Sequence, residues 1–214
     1  MELTGIALWL NTSFAGFDAA VTTAVHKLYD LAPGFFTPFM ELVSVLGKGG
    51  IFLIILSLAL MLVKKTRRAG TAMCIGLAIS FILVNLVLKV VIARPRPYLD
   101  QNSVFYQFWT MVGQHTESDK SFPSGHTNAA FATMIPLFLL GNKRWSWLAL
   151  VFAFLMGISR IYLCVHYPTD VIGGALTGTF GGLLGVLIAL HLPDKWYAWG
   201  FGQKKGRHED VRLR

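Results

Sequence analysis

Long apolar runs alternate with short polar, mostly basic segments along this chain. Residues 69–92 carry no charge before Lys89, residues 145–165 carry only Arg160, and residues 171–190 carry none. Residues 125–141 form a shorter run that begins polar, at His126 and Asn128. A weaker run over about 43–63 has Lys48 near one end. A bilayer core takes about 20 apolar residues per helix, so each of these runs reads as a membrane span. Residues 1–42 fit less simply. Residues 3–17 are uncharged but include Asn11, Thr12 and Ser13, and residues 18–30 mix apolar positions with Asp18, His26, Lys27 and Asp30. That mixture predicts helices lying on the membrane surface or re-entering it, with a sixth full span as the competing assignment. The first basic residue is Lys27, so no secretory signal with a basic n-region is expected.

The expected fold is therefore all-α: a polytopic membrane helical bundle of five to six transmembrane helices with N-terminal interfacial helices. It divides into an interfacial or re-entrant segment over 1–42, a transmembrane core over 43–192 and a basic cytoplasmic tail over 193–214, polar and mobile from 203 onward. In the last span Gly174, Gly178 and Gly182 recur every four residues and leave one helix face flat. A flat face permits close helix contact in lipid. Packing within the chain is preferred to a dimer seam, and the oligomeric state stays open.

Composition agrees with the pattern. Of 214 residues, 54% are hydrophobic and only 14% charged, and the mean hydropathy is +0.56. Soluble domains carry roughly 25% charged residues. A soluble enzyme and a disordered tail are excluded on that ground. The net charge of +8 would suit a nucleic-acid partner, but the basic residues sit between and after the apolar runs, as in an integral membrane protein. Lys64, Lys65, Arg67 and Arg68 form one group; Lys143 and Arg144 a second; Lys195, Lys204, Lys205, Arg207, Arg212 and Arg214 a third. Together they are 12 of the 19 basic residues and fall on one side, which is expected to be cytoplasmic. The loop 93–124 and the turn 166–170 then face the periplasm or exterior of a cell membrane. Cys74 and Cys164 lie inside apolar runs and build no disulfide framework.

Charges at membrane depth are costly, so each asks for a reason. Lys89, Arg94, Arg96, His126, Arg160, His166 and Asp170 all fall at the outward ends of spans. Singly, Lys89 reads as a snorkelling anchor, Arg94 and Arg96 as interface charges, His126 as a polar cap and His166 as a hydrogen-bonded interface residue. Together they create a strongly positive spot that invites an anion at the lipid surface. Ser124 follows Pro123 and begins an apolar run, a good N-cap position. The free N–H groups of Gly125 and His126 then point out of a helix end suited to phosphate. Pro168 suits the first turn of a helix and keeps Tyr167 out of it, so His166 lies on an irregular turn. Asp170, in the first turn, can accept a hydrogen bond from one imidazole nitrogen and leave the other nucleophilic.

Three spacings are recognisable. Lys89 followed after six residues by Arg96-Pro97, then Pro123-Ser124-Gly125-His126, then Ser159-Arg160 with His166 and Asp170 following, resemble in order the signatures of the type 2 phosphatidic acid phosphatase family. The resemblance covers residues 89–170 and implies these roles. His166 attacks phosphorus and forms a phosphohistidine, and Asp170 orients it. His126 protonates the leaving oxygen and then activates water. Lys89, Arg96 and Arg160 bind the phosphoryl oxygens, with help from Ser124 and the Gly125 amide. No cofactor and no metal is implied, and no acidic cluster suited to a divalent ion is visible in the sequence. Arg94 lies outside the strict pattern and is left as a contact to the headgroup or to a neighbour of the site. The expected substrate is a lipid phosphate or diphosphate: undecaprenyl diphosphate, phosphatidylglycerol phosphate or phosphatidic acid, with the outward orientation favouring the first. The motifs do not separate water from an alcohol as acceptor, so a phosphotransferase of the same superfamily is the alternative. A non-catalytic lipid or anion transporter is a third reading, against which stands the nucleophile–acid pair.

Overall fold

The computed structural model describes residues 3–198, and the part of the basic tail from 199 onward lies outside the described residues. Within that range the chain is helical, with no strand. Thr4 caps α1 (Gly5–Ser13) by accepting a hydrogen bond from the Ala7 amide at 3.2 Å. α2 (Ala15–Leu31) follows almost directly, and Pro33 opens α3 (Pro33–Gly47) with no amide hydrogen to leave unpaired. Gly49 and Gly50 take φ of 59° and 69° between α3 and α4 (Ile51–Leu62), a left-handed bend that side chains with a Cβ resist.

α5 (Arg67–Phe81) passes into a π-helical segment, Ile82–Leu88, and then into the single turn α6 (Lys89–Ile92). Ala93 ends it in the left-handed region at φ 50°, and Pro95 and Pro97 keep the chain irregular. A loop carrying the short α7 (Val104–Met111) leads to α8 (Gly125–Leu140). α9 (Trp147–Tyr162) returns, and after the turn at 163–167 the chain closes with α10 (Pro168–His191).

α10 packs along both α5 and α8, and this trio is the centre of the bundle. The contact is close because the residues are small. A Cβ on Gly178 would collide with the Asn128 carbonyl, and one on Gly181 would stand 2.8 Å from the Ser80 Cβ. Gly182 faces the Ala132 carbonyl in the same way, so the flat glycine face is used inside the chain. α4 and α9 flank the trio around Leu53, Met73, Ala130, Met134, Ala153 and Met156. A second core, with Met40, Tyr98, Val112, Tyr162 and Val165, lies below the loop and takes Val25 and Leu28 of α2 against it.

Among the described residues, three helical stretches are long and apolar enough to cross a bilayer: Pro33–Leu62, Arg67–Leu99 and Pro168–His191. The first begins ten residues before the apolar run at 43, because α3 extends back to Pro33. α8 and α9 have 16 residues each, about 24 Å at 1.5 Å per residue. Large apolar side chains such as Leu86, Val90, Phe154 and Leu176 point outward, a surface that lipid can cover. At one end of the bundle Arg68 pairs with Asp194 at 2.8 Å, and Arg67 donates to the Tyr197 carbonyl at 2.7 Å. The basic turn before α5 and the segment after α10 thus share a face, opposite the end where α6, α8 and α10 meet at the loop.

Residues 3–31 hold the largest difference between pattern and packing. The polar side of α2 is turned inward: Asp18, Thr22 and His26 are buried. α2 touches α3, α7, α9 and α10, and the His26 ring stacks on Phe108 at 3.7 Å. Asp18 is satisfied there by Arg94 and Thr169, whereas Thr22 Oγ1 and His26 Nδ1 are buried with no hydrogen-bond partner among the described residues.

Candidate active site

Each motif residue is brought to the loop end of the bundle by the start or finish of a helix. Lys89 begins α6, and Arg96 lies on the extended chain after it. Ser124 occupies the N-cap of α8 with φ −63° and ψ 114°. Arg160 sits in the last turn of α9, His166 on the following turn, and Asp170 in the first turn of α10. Lys89, Arg96, Gly125, His126 and His166 line one cavity of about 740 Å³. The cavity continues between Ile54, Leu77, Ala78, Phe81 and Ile82, so one end is cationic and the other apolar.

His166 is buried, and its Nε2 accepts a hydrogen bond from Arg96 Nη1 at 2.8 Å. Arginine has no acceptor, so Nε2 carries the lone pair and the ring proton belongs on Nδ1. Nδ1 lies 3.5 Å from Asp170 Oδ2, close but outside hydrogen-bond geometry. Burial, and then the charges of Arg96, Arg160 and Lys89, push His166 well below its ordinary value near 6.5. The ring is therefore neutral at pH 7, with its unprotonated Nε2 facing the cations.

The cations themselves are held by two acids from the loop. Asp119 accepts from both Lys89 and Arg96, and Glu117 accepts from Arg160. Arg96 also donates to the Val165 carbonyl at 2.8 Å, and Arg160 to Ser44 of α3. Burial acts against the Asp119 carboxylate, but the hydrogen bonds and charges of Lys89 and Arg96 outweigh it and hold the group below the usual carboxylate range.

The helix end at Ser124 faces two ways. Its hydroxyl is fully buried and accepts from Thr127 Oγ1 at 3.0 Å and the Thr127 amide at 3.5 Å. It caps α8 and does not line the cavity. Gly125 does: a Cβ there would lie 3.3 Å from Lys89 Nζ, so the missing side chain makes room for the ammonium. His126 lies over Gly47, where an added Cβ would come within 2.7 Å of the imidazole and of the Met156 sulfur.

Asp170 stands behind His166 and is wholly buried. Its Oδ2 accepts from Ser121 and from the Tyr167 amide, the latter at 2.9 Å, and its backbone carbonyl accepts from Ser124 N at 2.9 Å. Its Oδ1 accepts from Arg94 Nη1 at 2.7 Å. Arg94 is thus a neighbour of the site and not a headgroup contact.

Sequence reasoning missed Glu117, Asp119, Ser121, Ser44 and Asp18. The two loop acids carried a usable signal, since they stand just before Pro123-Ser124-Gly125-His126 in a stretch otherwise short of negative charge. Ser44 and Asp18 carried none, because their partners are far away in the chain.

Comparisons with known proteins point the same way. The model of the family described as the PAP2 superfamily matches residues 69–193. The chain is 34% identical over 137 residues to an undecaprenyl-diphosphatase of Sulfolobus acidocaldarius, an alignment covering 64% of this chain and 63% of that protein. It is 30% identical over 204 residues to a lipid A 1-phosphatase of Rhizobium etli, covering 84% and 83%. The first of these alignments spans less than two thirds of the relative's length. Among solved structures, the first transmembrane PAP2 type phosphatidylglycerolphosphate phosphatase from Bacillus subtilis superposes with a TM-score of 0.65 at 25% identity, covering 88% of this chain and 92% of that one.

Proposed function

This chain belongs to the PAP2 superfamily, and from that premise we propose that it is an integral membrane phosphatase. It hydrolyses a lipid phosphate or diphosphate at the outer membrane face through a phosphohistidine on His166. The observation that carries this reading is the buried neutral imidazole of His166, its Nε2 turned toward Arg96 in a cavity shared with Lys89 and His126. Anion binding alone has no use for such a nucleophile.

The phosphoryl group takes the place of the carboxylates now paired with the cations. Its oxygens accept from Lys89, Arg96 and Arg160 and from the Gly125 amide at the start of α8. Ser124 contributes by capping that helix and setting the direction of its first amides. His166 Nε2 attacks phosphorus in line with the leaving oxygen. A nitrogen–phosphorus bond forms, the phosphorus–oxygen bond to the lipid breaks, and the leaving oxygen takes a proton from His126. The positive charge that develops on His166 is met by Asp170 at Nδ1. His126, now a base, takes a proton from water. The hydroxide oxygen attacks phosphorus, phosphate departs and His166 is regenerated. Transfer of this kind depends on positioning and charge stabilisation, which three cations provide.

The cavity supports an amphiphile with an anionic head and an apolar chain. Among such lipids undecaprenyl diphosphate is favoured, because the basic segments 64–68, 143–144 and 195–214 support an outward orientation of the site. The similarity to an undecaprenyl-diphosphatase supports that choice. The test is phosphate release by the purified protein from undecaprenyl diphosphate, phosphatidylglycerol phosphate and phosphatidic acid at equal surface concentration. Release from undecaprenyl diphosphate at least about tenfold faster than from the others is expected, a difference of about 1.4 kcal/mol in transition-state binding. Transfer of the label to an added alcohol in place of water would make the protein a phosphotransferase.

A further inference from the structure

Arg94 bridges two buried carboxylates, and the second of them comes from the N-terminal helix. Its Nη1 donates to Asp170 Oδ1 at 2.7 Å and its Nη2 to Asp18 Oδ2 at 2.9 Å. Nη1 also meets Thr169 Oγ1 at 2.7 Å, and Nε donates to Asn11 Oδ1 at 2.8 Å. The guanidinium lies 3.8 Å over the Tyr167 ring. Asp18 is held in turn by the Thr169 amide and hydroxyl, both at 2.9 Å. Asp18, Arg94 and Asp170 are each at most 1% exposed.

Charge balance gives this cluster a meaning beyond anchoring. A buried Arg94–Asp170 pair by itself is neutral, and the carboxylate facing His166 would be largely spent on the guanidinium. Asp18 supplies a second carboxylate to the same guanidinium, so the trio carries one net negative charge in a dry place where charge acts strongly. When His166 Nε2 bonds to phosphorus while Nδ1 keeps its proton, the ring becomes a cation. Around it stand Arg96, Arg160 and Lys89, all positive, with Asp119 bound to two of them. The trio is the negative charge on the Nδ1 side.

We propose that Asp18 is a positioning residue for the phosphoryl-transfer step: through Arg94 it holds Asp170 aligned toward His166 and leaves the trio with a net negative charge to meet the charge that develops on the ring, and it makes α2 part of the catalytic apparatus. This rests on the phosphohistidine reading above. A purely structural Asp18 would only dock α2, and its loss would reduce the amount of folded protein. An electrostatic Asp18 acts on the transition state in which His166 gains charge, so its loss lowers kcat while ground-state binding, made by other residues, is kept.

The full-length protein in detergent decides between them, with farnesyl diphosphate labelled in its terminal phosphoryl group as the probe. Rapid-quench single turnovers give the rate of phosphoenzyme formation, and steady-state assays give kcat and KM. Asp18→Asn keeps the shape and removes the charge. It is expected to slow phosphoenzyme formation and kcat by about tenfold or more, with KM within about twofold. Asp30→Asn, on an exposed position of the same helix, is expected to match the wild type. An Asp18→Asn protein that is folded and within twofold of wild-type kcat overturns the proposal. So does a fall in kcat that merely tracks the unfolded fraction. If Asp18→Asn does not fold, Thr169→Val retains both charges but frees Asp18 from its hydroxyl donor. A severalfold fall in kcat at unchanged KM is then expected, and an unaltered kcat overturns the proposal. A wild type that neither releases phosphate nor acquires label sinks the phosphatase reading itself, a result separate from an active wild type with an indifferent Asp18.

Discussion

His166 and His126 must hold opposite protonation states at the moment of transfer, and the proton on His126 is assigned to the state with the phosphate dianion bound, which offsets the surrounding cations. His166 is neutral, with Nε2 accepting from Arg96. His166→Gln is expected to abolish both turnover and labelled phosphoenzyme. His126→Gln should slow turnover severely, but a nitrophenyl phosphate, whose leaving group needs no proton, should partly restore phosphoenzyme formation. Rescue of His166→Gln in place of His126→Gln would mean that the roles are reversed. Asp119 makes a second prediction at this scale. It holds Lys89 and Arg96 where phosphoryl oxygens are proposed to bind, so it competes with phosphate. Asp119→Asn is expected to tighten inhibition by inorganic phosphate about tenfold, measured as Ki, since a like charge is removed from the anion's place. Weaker inhibition would show that the carboxylate organises the cations more than it competes for them.

Helix contacts carry the site because α8 and α10 place His126 and Asp170 at neighbouring ends. Their closeness depends on Gly178 against the Asn128 carbonyl. Gly178→Val is expected to destabilise the bundle by about 1–3 kcal/mol, as overpacking does, read as a lower melting temperature in detergent. Gly16→Ala, where an added methyl meets nothing within 4 Å, should leave stability unchanged or raise it by about 0.5 kcal/mol through helix propensity. Equal effects of the two substitutions would deny the glycine face its packing role.

At the scale of the whole molecule, charge and pH govern both activity and stability. The positive charge around the phosphoryl group is assigned to Lys89, Arg96 and Arg160, so phosphate release is expected to survive EDTA. Loss on chelation, restored by Mg²⁺, would refute that assignment. His166 titrates lower in the folded protein than its ordinary value near 6.5. The unfolded chain therefore binds a proton that the folded one refuses once pH falls below about 6.5. Stability from this group is complete above that pH and is lost as pH falls toward the folded value. Melting temperatures at pH 7 and pH 5 should differ less in His166→Gln than in the wild type. An identical pH dependence in both would show that His166 contributes nothing to it.

The helical class and most of the residues that meet at the candidate site were legible in the sequence, for a physical reason. An apolar run exceeding a bilayer's thickness and a charge at its end are local facts, and Lys89, Arg96, His126, Arg160, His166 and Asp170 all stand at such ends. Pro168 and Ser124 announce helix starts in the same local way. The inward side of α2 was not legible, because Asp18 among apolar neighbours reads the same whether water, headgroups or an arginine satisfies it. Only packing brings Asp18 to Arg94, 76 residues away, and to Thr169, 151 residues away. Glu117 and Asp119 were visible as acids, yet their engagement with the cations depends on how the loop folds back over three helix ends. Sequence pattern records what each segment needs from its surroundings. Which distant group meets the need is a property of the assembled bundle, where burial makes an unpaired charge so unfavourable that partners are drawn from anywhere along the chain.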